Sequence, residues 1–179
     1  PAPSCLPTRT NGGLVDYETG WGQYPAIPHS PIPQEPNQLP HLDFGPDATA
    51  GILIKEPPDV LKERAYAILV PAVDADGNEI AGVRAPMIQA PLGTYNGWNV
   101  RRRGLGGGAM HEFSGGYIPF PETPEVQAAT GDPRQSITAR YGDNAGYIAA
   151  IEAASKQLVA DGYMLEEDIE RAKARALDW

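Results

Sequence analysis

The sequence predicts an α+β, loop-rich fold: a Pro-rich extended arm, a β-hairpin and a C-terminal helical hairpin. Three observations predict it. The 179 residues include 19 Pro and 20 Gly, with most prolines in the first third, and both residue types interrupt helices and central strands. The middle holds branched apolar runs separated by a turn sequence. The C-terminal stretch repeats apolar residues at helical spacing. Three segments follow from this: an arm over 1–58, a hairpin with an aromatic and Gly-rich loop over 59–120, and a helical tail over 121–179.

Composition narrows the function classes. The formal net charge is −9, which opposes nucleic-acid binding because a phosphate-binding surface needs clustered cations. Arg101, Arg102 and Arg103 form one local basic cluster. Cys5, the single cysteine, has no internal disulfide partner, and no Cys/His spacing suggests zinc. It is a free thiol near a terminus, or it pairs with another chain in an oxidising compartment. No apolar run approaches the ~20 residues that span a bilayer. The chain opens at Pro1 without Met or a signal peptide, which reads as processing, trimming or excision from a longer chain. With Cys5, this points to export to the periplasm or beyond.

In the arm, YPAIPHSPIPQEP forces polyproline-II and turn conformations. Trp21, Tyr24, Ile27, Ile32, Leu39, Leu42 and Phe44 are too many large apolar groups for a solvated linker, so the arm is expected to wrap a neighbouring surface. His29 and His41 lack partner carboxylate spacing and read as surface or packing residues.

AGILIK, 50–55, is expected to be a short strand ended by Pro57-Pro58, with a helical turn over 59–64. Residues 66–73, YAILVPAV, form the clearest strand, and Pro71 puts it at an edge or a bulge. The DADGN turn, with Gly77 at positive φ, leads to a second extended run over 79–90, making a hairpin. The same turn resembles the start of a calcium loop, with Asp74, Asp76 and Asn78 at alternate positions. Glu79 stands where that loop needs Gly, and Ala85 where it needs a bidentate Glu, so the hairpin reading prevails.

TYNGWN, 94–99, can press an amphipathic aromatic surface against a ligand or another domain. The Arg triplet and GLGGG would suit phosphate only between a strand and a helix with a Lys-Ser/Thr ending, which are missing; a flexible or packed loop is expected. His111-Glu112-Phe113-Ser114-Gly115 breaks both the G-x-S-x-G elbow, at Glu112, and the H-E-x-x-H zinc pattern, at Gly115. Residues 115–120 read as a close-packed loop. In the tail, 136–141 forms a short helix and Asp143 caps the next. Tyr147, Ile148, Ile151, Leu158 and Val159 mark one helical face, and Gly162 stops it. Tyr163, Leu165, Ile169, Ala172 and Ala176 mark a second helix, with Glu166, Glu167 and Asp168 in its first turn.

With these motifs laid out, VPAVDADGNEIAGVRAPMIQAPLGTYNGWNVR, GGYIPFPET and GDPRQSITARYGDNAGYIAAIEAA together resemble the C-terminal region of a family of α/β-hydrolase-domain proteins. HLDFGP in the arm resembles the segment after the hydrolase core there. The resemblance spans roughly 24–160 and omits the Arg triplet and GLGGG. It implies a nucleophilic Ser in an upstream G-x-S-x-G-like elbow and a His between that elbow and this region. Neither motif is present, so no catalytic residue carries over. The resemblance implies packing on an α/β-hydrolase-like core carried by a larger chain or segment. It further implies ester hydrolysis of a small ester-like molecule by a Ser-His-acid mechanism located there, with no cofactor. Tyr95, Trp98, Asn99, His111 and Tyr117 are the residues expected to face the pocket or the interface with the core, giving shape and hydrogen bonds. The alternative is a non-catalytic binding or structural module whose TYNGWN loop grips a sugar ring or a partner protein. The apolar content of the arm favours the hydrolase reading.

Overall fold

A computed structural model describes residues 6–34, 39–111 and 113–177; Cys5 and Glu112 lie outside them. The chain is α+β. Among the described residues, six helices accompany four separate two-stranded antiparallel sheets.

The N-terminal region is not an extended arm throughout. β1 (Leu14–Asp16) runs directly into α1 (Tyr17–Gln23). Tyr17, Trp21 and Tyr24 lie at i, i+4 and i+7, so one face of this helix turn is aromatic. Tyr24 and Ile27 are buried, and Trp21 packs edge-on against Trp98 at 4.9 Å between centroids. Trp21, Tyr24 and Ile27 thus pack within the chain itself, while Leu39 and Leu42 of the same region stay exposed. Gly20 permits this packing: a Cβ there would collide with Val70 Cγ2, where α1 meets the strand that holds Val70. His41 stacks on Tyr66 at 4.1 Å and His29 is exposed, as expected of packing and surface histidines.

β2 (His41–Asp43) pairs with β3 (Asp59–Leu61), whose Asp59 faces Asp43. A one-turn 3-10 helix, Lys62–Arg64, follows, so the expected helical turn occupies only the second half of 59–64. Residues 50–55 are not a strand. The N–H groups of Ile54 and Lys55 both donate to the Phe44 carbonyl, and Ile52 donates to Asp47. The segment folds back on its own loop instead of pairing with another strand, which leaves Ile52, Leu53 and Ile54 exposed.

The strand expected over 66–73 shrinks to β4 (Leu69–Pro71), which pairs with β1 in a two-stranded sheet where Pro71 faces Leu14. The hairpin turn forms: the Asp74 N–H donates to the Asn78 carbonyl at 2.8 Å, Gly77 has φ of 81°, and Val73 bridges Glu79. The second extended run does not persist. Pro86 opens a short helix, α2 (Pro86–Gln89), where Pro at the first helical position forfeits no hydrogen bond. β5 (Gly93–Asn96) pairs with β8 (Gly116–Pro119), and β6 (Asn99–Val100) with β7 (Met110–His111). Residues 115–120, expected as a loop, thus hold a strand, because β5 supplies a backbone partner for each of its four residues.

α3 (Pro124–Thr130) has Thr123 as N-cap, its hydroxyl accepting from Val126 N; the sequence reading did not anticipate it. α4 (Ile137–Tyr141), α5 (Asn144–Ala160) and α6 (Asp168–Ala176) follow. The Asp143 carboxylate caps α5 by accepting from Gly146 N at 2.9 Å. Tyr147, Ile151 and Leu158 of α5 are buried, and α6 packs beside it as the expected helical hairpin. α6 starts at Asp168, after turns in which Asp168 N donates to Leu165 and Ile169 N to Glu166. The core joins Ala90, Leu92, Phe120, Ile137, Tyr147, Ile151 and Ala176. It lies where α2 and α4 pack against α5, with Leu92 and Phe120 entering it from the ends of the β5–β8 ribbon. No helix among the described residues is long and apolar enough to cross a membrane.

Candidate functional site

The DADGN turn is a structural hub. Asp74 Oδ1 accepts from the N–H groups of Asp76 and Asn78, both at 3.0 Å, which fixes the turn from within. Asn78 is fully buried. Its amide donates to the Gly93 carbonyl at 3.1 Å and its Oδ1 accepts from Tyr95 N at 2.8 Å. This one side chain thus stands in for a neighbouring strand along β5. The Thr94 hydroxyl donates to the Asp76 carbonyl. Thr94 is thereby turned inward, and alternation along the strand sends Tyr95 to the other face.

Behind β5 lie two arginines from the GDPR and RYG motifs. Arg134 is 2 % exposed and uses its whole donor fork. Nε and Nη2 donate to the Asp132 carboxylate at 2.9 and 2.6 Å. Nη1 donates to Thr94 Oγ1 and the Ile118 carbonyl, both at 2.9 Å, and Nη2 donates to the Pro119 carbonyl at 3.0 Å. Burial pushes the Asp132 carboxyl up, but the side-chain and backbone hydrogen bonds from Arg134 outweigh it and hold the group below its ordinary range. Arg140 pairs with Asp76 at 2.7 Å. Both guanidinium groups sit over the Phe120 ring, at 5.1 and 4.6 Å, a cation–π arrangement in a desolvated setting. The two arginines therefore bind the turn, both strands of the ribbon and the helical tail into one frame.

Beside this frame lies a cavity of about 350 Å³. Its walls come from α1, β4, the hairpin turn and β5 with the residues that follow it, and Met110 of β7 completes the lining. Tyr17, Trp21 and Tyr24 line it together with Tyr95 and Trp98, and Trp21 and Tyr24 pack directly on Trp98. The Tyr24 hydroxyl donates to Asn96 Oδ1 at 2.9 Å, tying the N-terminal wall to the strand. Burial, together with Tyr117 and Tyr147, pushes the Tyr95 phenol up to about 12. Burial also raises Tyr24, against the hydrogen bond to Asn96. Both rings therefore stay neutral near pH 7.

Of the five residues expected at a pocket or interface, Tyr95 and Trp98 line this cavity and the other three do not. Asn99 donates to the carbonyls of Ser114 and Gly115 at 2.7 and 3.1 Å, which staples the loop after β7. His111 lies opposite Asn99 in the β6–β7 pair, and its Nδ1 accepts from Phe113 N at 3.2 Å. The Tyr117 ring leans on Tyr95 at 5.0 Å and its hydroxyl donates to the Leu92 carbonyl at 3.1 Å, so it supports Tyr95 from behind. The aromatic wall of α1 was missed. Its signal was the 17, 21, 24 spacing, masked by the prolines that follow. The cavity suits binding: among the described residues, Glu79 is the only charged side chain on its walls, and no nucleophile–base pair lines it.

A family model described as an alpha/beta hydrolase domain matches residues 31–174. No curated protein and no solved structure is matched by the chain. The match covers most of the sequence and includes the turn, ribbon and helical-tail motifs that build the frame. The chain belongs to the alpha/beta hydrolase domain family.

Proposed function

We propose that this chain is the pocket-shaping C-terminal part, or a cleaved subunit, of a hydrolase-like enzyme that cleaves esters, with the catalytic Ser and His on another segment or chain. The observation that carries the reading is the alpha/beta hydrolase domain match over 31–174 in a sequence without a G-x-S-x-G elbow. Two features support it. Leu42, Ile52, Leu53, Ile54 and Val60 are all exposed in the region around the β2–β3 pair, and exposed apolar patches of this kind mark interaction surfaces. The cavity supplies shape and aromatic contact without a nucleophile, as a substrate-binding part would. Tyr95 and Trp98 then contact the substrate, while Asn99, His111 and Tyr117 hold their loops or meet the core.

The test is native mass spectrometry beside denaturing intact mass. A 19.1 kDa chain seen only with a larger partner supports the reading, and that partner should react with a serine-directed fluorophosphonate. In the assembled enzyme, Trp98→Ala should raise KM or change the substrate preference at retained fold. Unchanged kinetics across several esters would remove Trp98 from the pocket.

A second reading, a binding module without catalysis, is favoured by one observation: Trp21 and Tyr24 pack on Trp98 of the same chain, so the cavity needs no second chain to be walled. A solitary, cooperatively unfolding chain whose stability rises with ligand would support this reading over the first.

A further inference from the structure

The charge distribution around the cavity selects its ligand. Aromatic faces carry the negative lobe of the ring quadrupole, and five aromatic side chains line this space: Tyr17, Trp21, Tyr24, Tyr95 and Trp98. Among the described residues, no Lys, Arg or His lines it, and Glu79 gives it one carboxylate. The neighbouring acids of the same turn are already neutralised, Asp74 facing Arg84 at 3.6 Å and Asp76 facing Arg140 at 2.7 Å. Glu79 has no such ion pair among the described residues, and it is exposed. An anionic ligand would meet ring faces and a carboxylate of like sign. A neutral ligand would use the ring surfaces and gain nothing from the carboxylate, which stays solvated. A cation on an alkyl or aryl skeleton uses both the rings and the charge.

We propose that the cavity binds an organic cation, a quaternary or alkyl-substituted ammonium group, held by the aromatic walls with Glu79 as counter-charge. The cavity volume of about 350 Å³ accommodates a small ligand carrying such a group. This deepens the reading above, on which it rests for the cavity's place in substrate recognition. Binding itself is a property of this chain, so a negative serine-probe experiment leaves it standing.

The experiment titrates the full chain with (2-hydroxyethyl)trimethylammonium and, separately, with its neutral isostere 3,3-dimethylbutan-1-ol, following tryptophan fluorescence. The cation should bind saturably and about tenfold tighter than the isostere, the order expected for a cation–π site between the exposed and the fully desolvated limits. Glu79→Gln should weaken the cation severalfold and leave the isostere unchanged. Because Glu79 is exposed, this variant should retain the native circular dichroism spectrum. Trp21→Phe and Trp98→Phe should each reduce the fluorescence response, since both indoles line the cavity, which places the ligand there. Equal or tighter binding of the neutral isostere, or absence of saturable binding by the cation, would overturn the proposal. So would a cation-to-isostere ratio unmoved by Glu79→Gln.

Discussion

Replacing Arg134 by Ala tests the frame that positions the cavity. The substitution removes five hydrogen bonds at once: two to Asp132 and one each to Thr94, Ile118 and Pro119. What remains is an almost buried carboxylate without its counter-ion, with two strand carbonyls and a hydroxyl short of donors. Breaking a buried ion pair from one side costs ~3–5 kcal/mol. The orphaned acceptors would add ~1–3 kcal/mol each if none were rehydrated. Water entering the vacated space offsets much of that second sum, so ~4 kcal/mol is the working value. A domain stability of ~5–15 kcal/mol would lose a quarter or more, and the melting temperature should fall by ~8–16 °C at ~2–4 °C per kcal/mol. Urea unfolding followed by circular dichroism measures it, with Asp132→Ala and the double variant completing a cycle. Each single change already breaks the pair, so the double should cost well under the sum. A loss below ~1 kcal/mol for Arg134→Ala, with the denaturant slope unchanged, would refute the argument that this residue holds the ribbon to the tail.

The Asp132 carboxyl is held low by Arg134 against the opposing effect of burial. Its stabilisation is complete above the unfolded value of ~4 and is lost as pH falls through the lower folded value. Urea midpoints should therefore drop more steeply below pH ~4 in the wild type than in Asp132→Asn. Asn78→Ala leaves Gly93 O and Tyr95 N unpaired in a buried setting and should cost ~2–4 kcal/mol, with a change in near-ultraviolet circular dichroism as Tyr95 loosens. Gly20→Ala places a methyl against Val70 Cγ2. Although Ala favours helix by ~1 kcal/mol, overpacking of ~1–3 kcal/mol should prevail, and a second change, Val70→Ala, should recover most of the loss in a thermal melt.

Local signals made the helical tail legible. Asp143 is an N-cap, Gly162 a stop, and the apolar face of α5 repeats at 147, 151 and 158. Each depends on residues within a turn or two, and sequence periodicity reports that range well. The hairpin turn was legible for the same reason. Its second arm was not, because an extended run over 79–90 competes with Pro86, which is suited to a helix start. The β5–β8 ribbon pairs residues about twenty or more positions apart, and nothing local in 115–120 names its partner. The same holds for 50–55, whose branched residues predict a strand although no partner strand lies alongside. Half of the cavity could be anticipated, since Tyr95 and Trp98 stand in an aromatic loop. The other half comes from α1, roughly seventy residues earlier, and only the folded chain brings Trp21 to Trp98.

The motifs that distinguish this sequence turn out to share one task. DADGN could have been a metal loop and GDPR an anion site, yet their polar atoms are spent on each other and on β5. Asp74 holds the turn, Asn78 replaces a strand, Asp76 meets Arg140, and Arg134 ties Thr94 to Asp132. Fixing a short ribbon requires such a device, because an isolated two-stranded sheet is marginally stable in water. The arginines supply from the rear what further strands would supply in a wider sheet. The strand they fix carries Tyr95, and Trp98 just beyond it, into the cavity wall. A residue of this frame can thus alter ligand binding without touching ligand, by letting the aromatic wall drift relative to Trp21 and Tyr24. Arg134→Lys should separate the two roles. It retains the charge while losing the planar fork, so the ribbon loosens and affinity for an organic cation falls, whereas Glu79→Gln lowers the same affinity at unchanged stability.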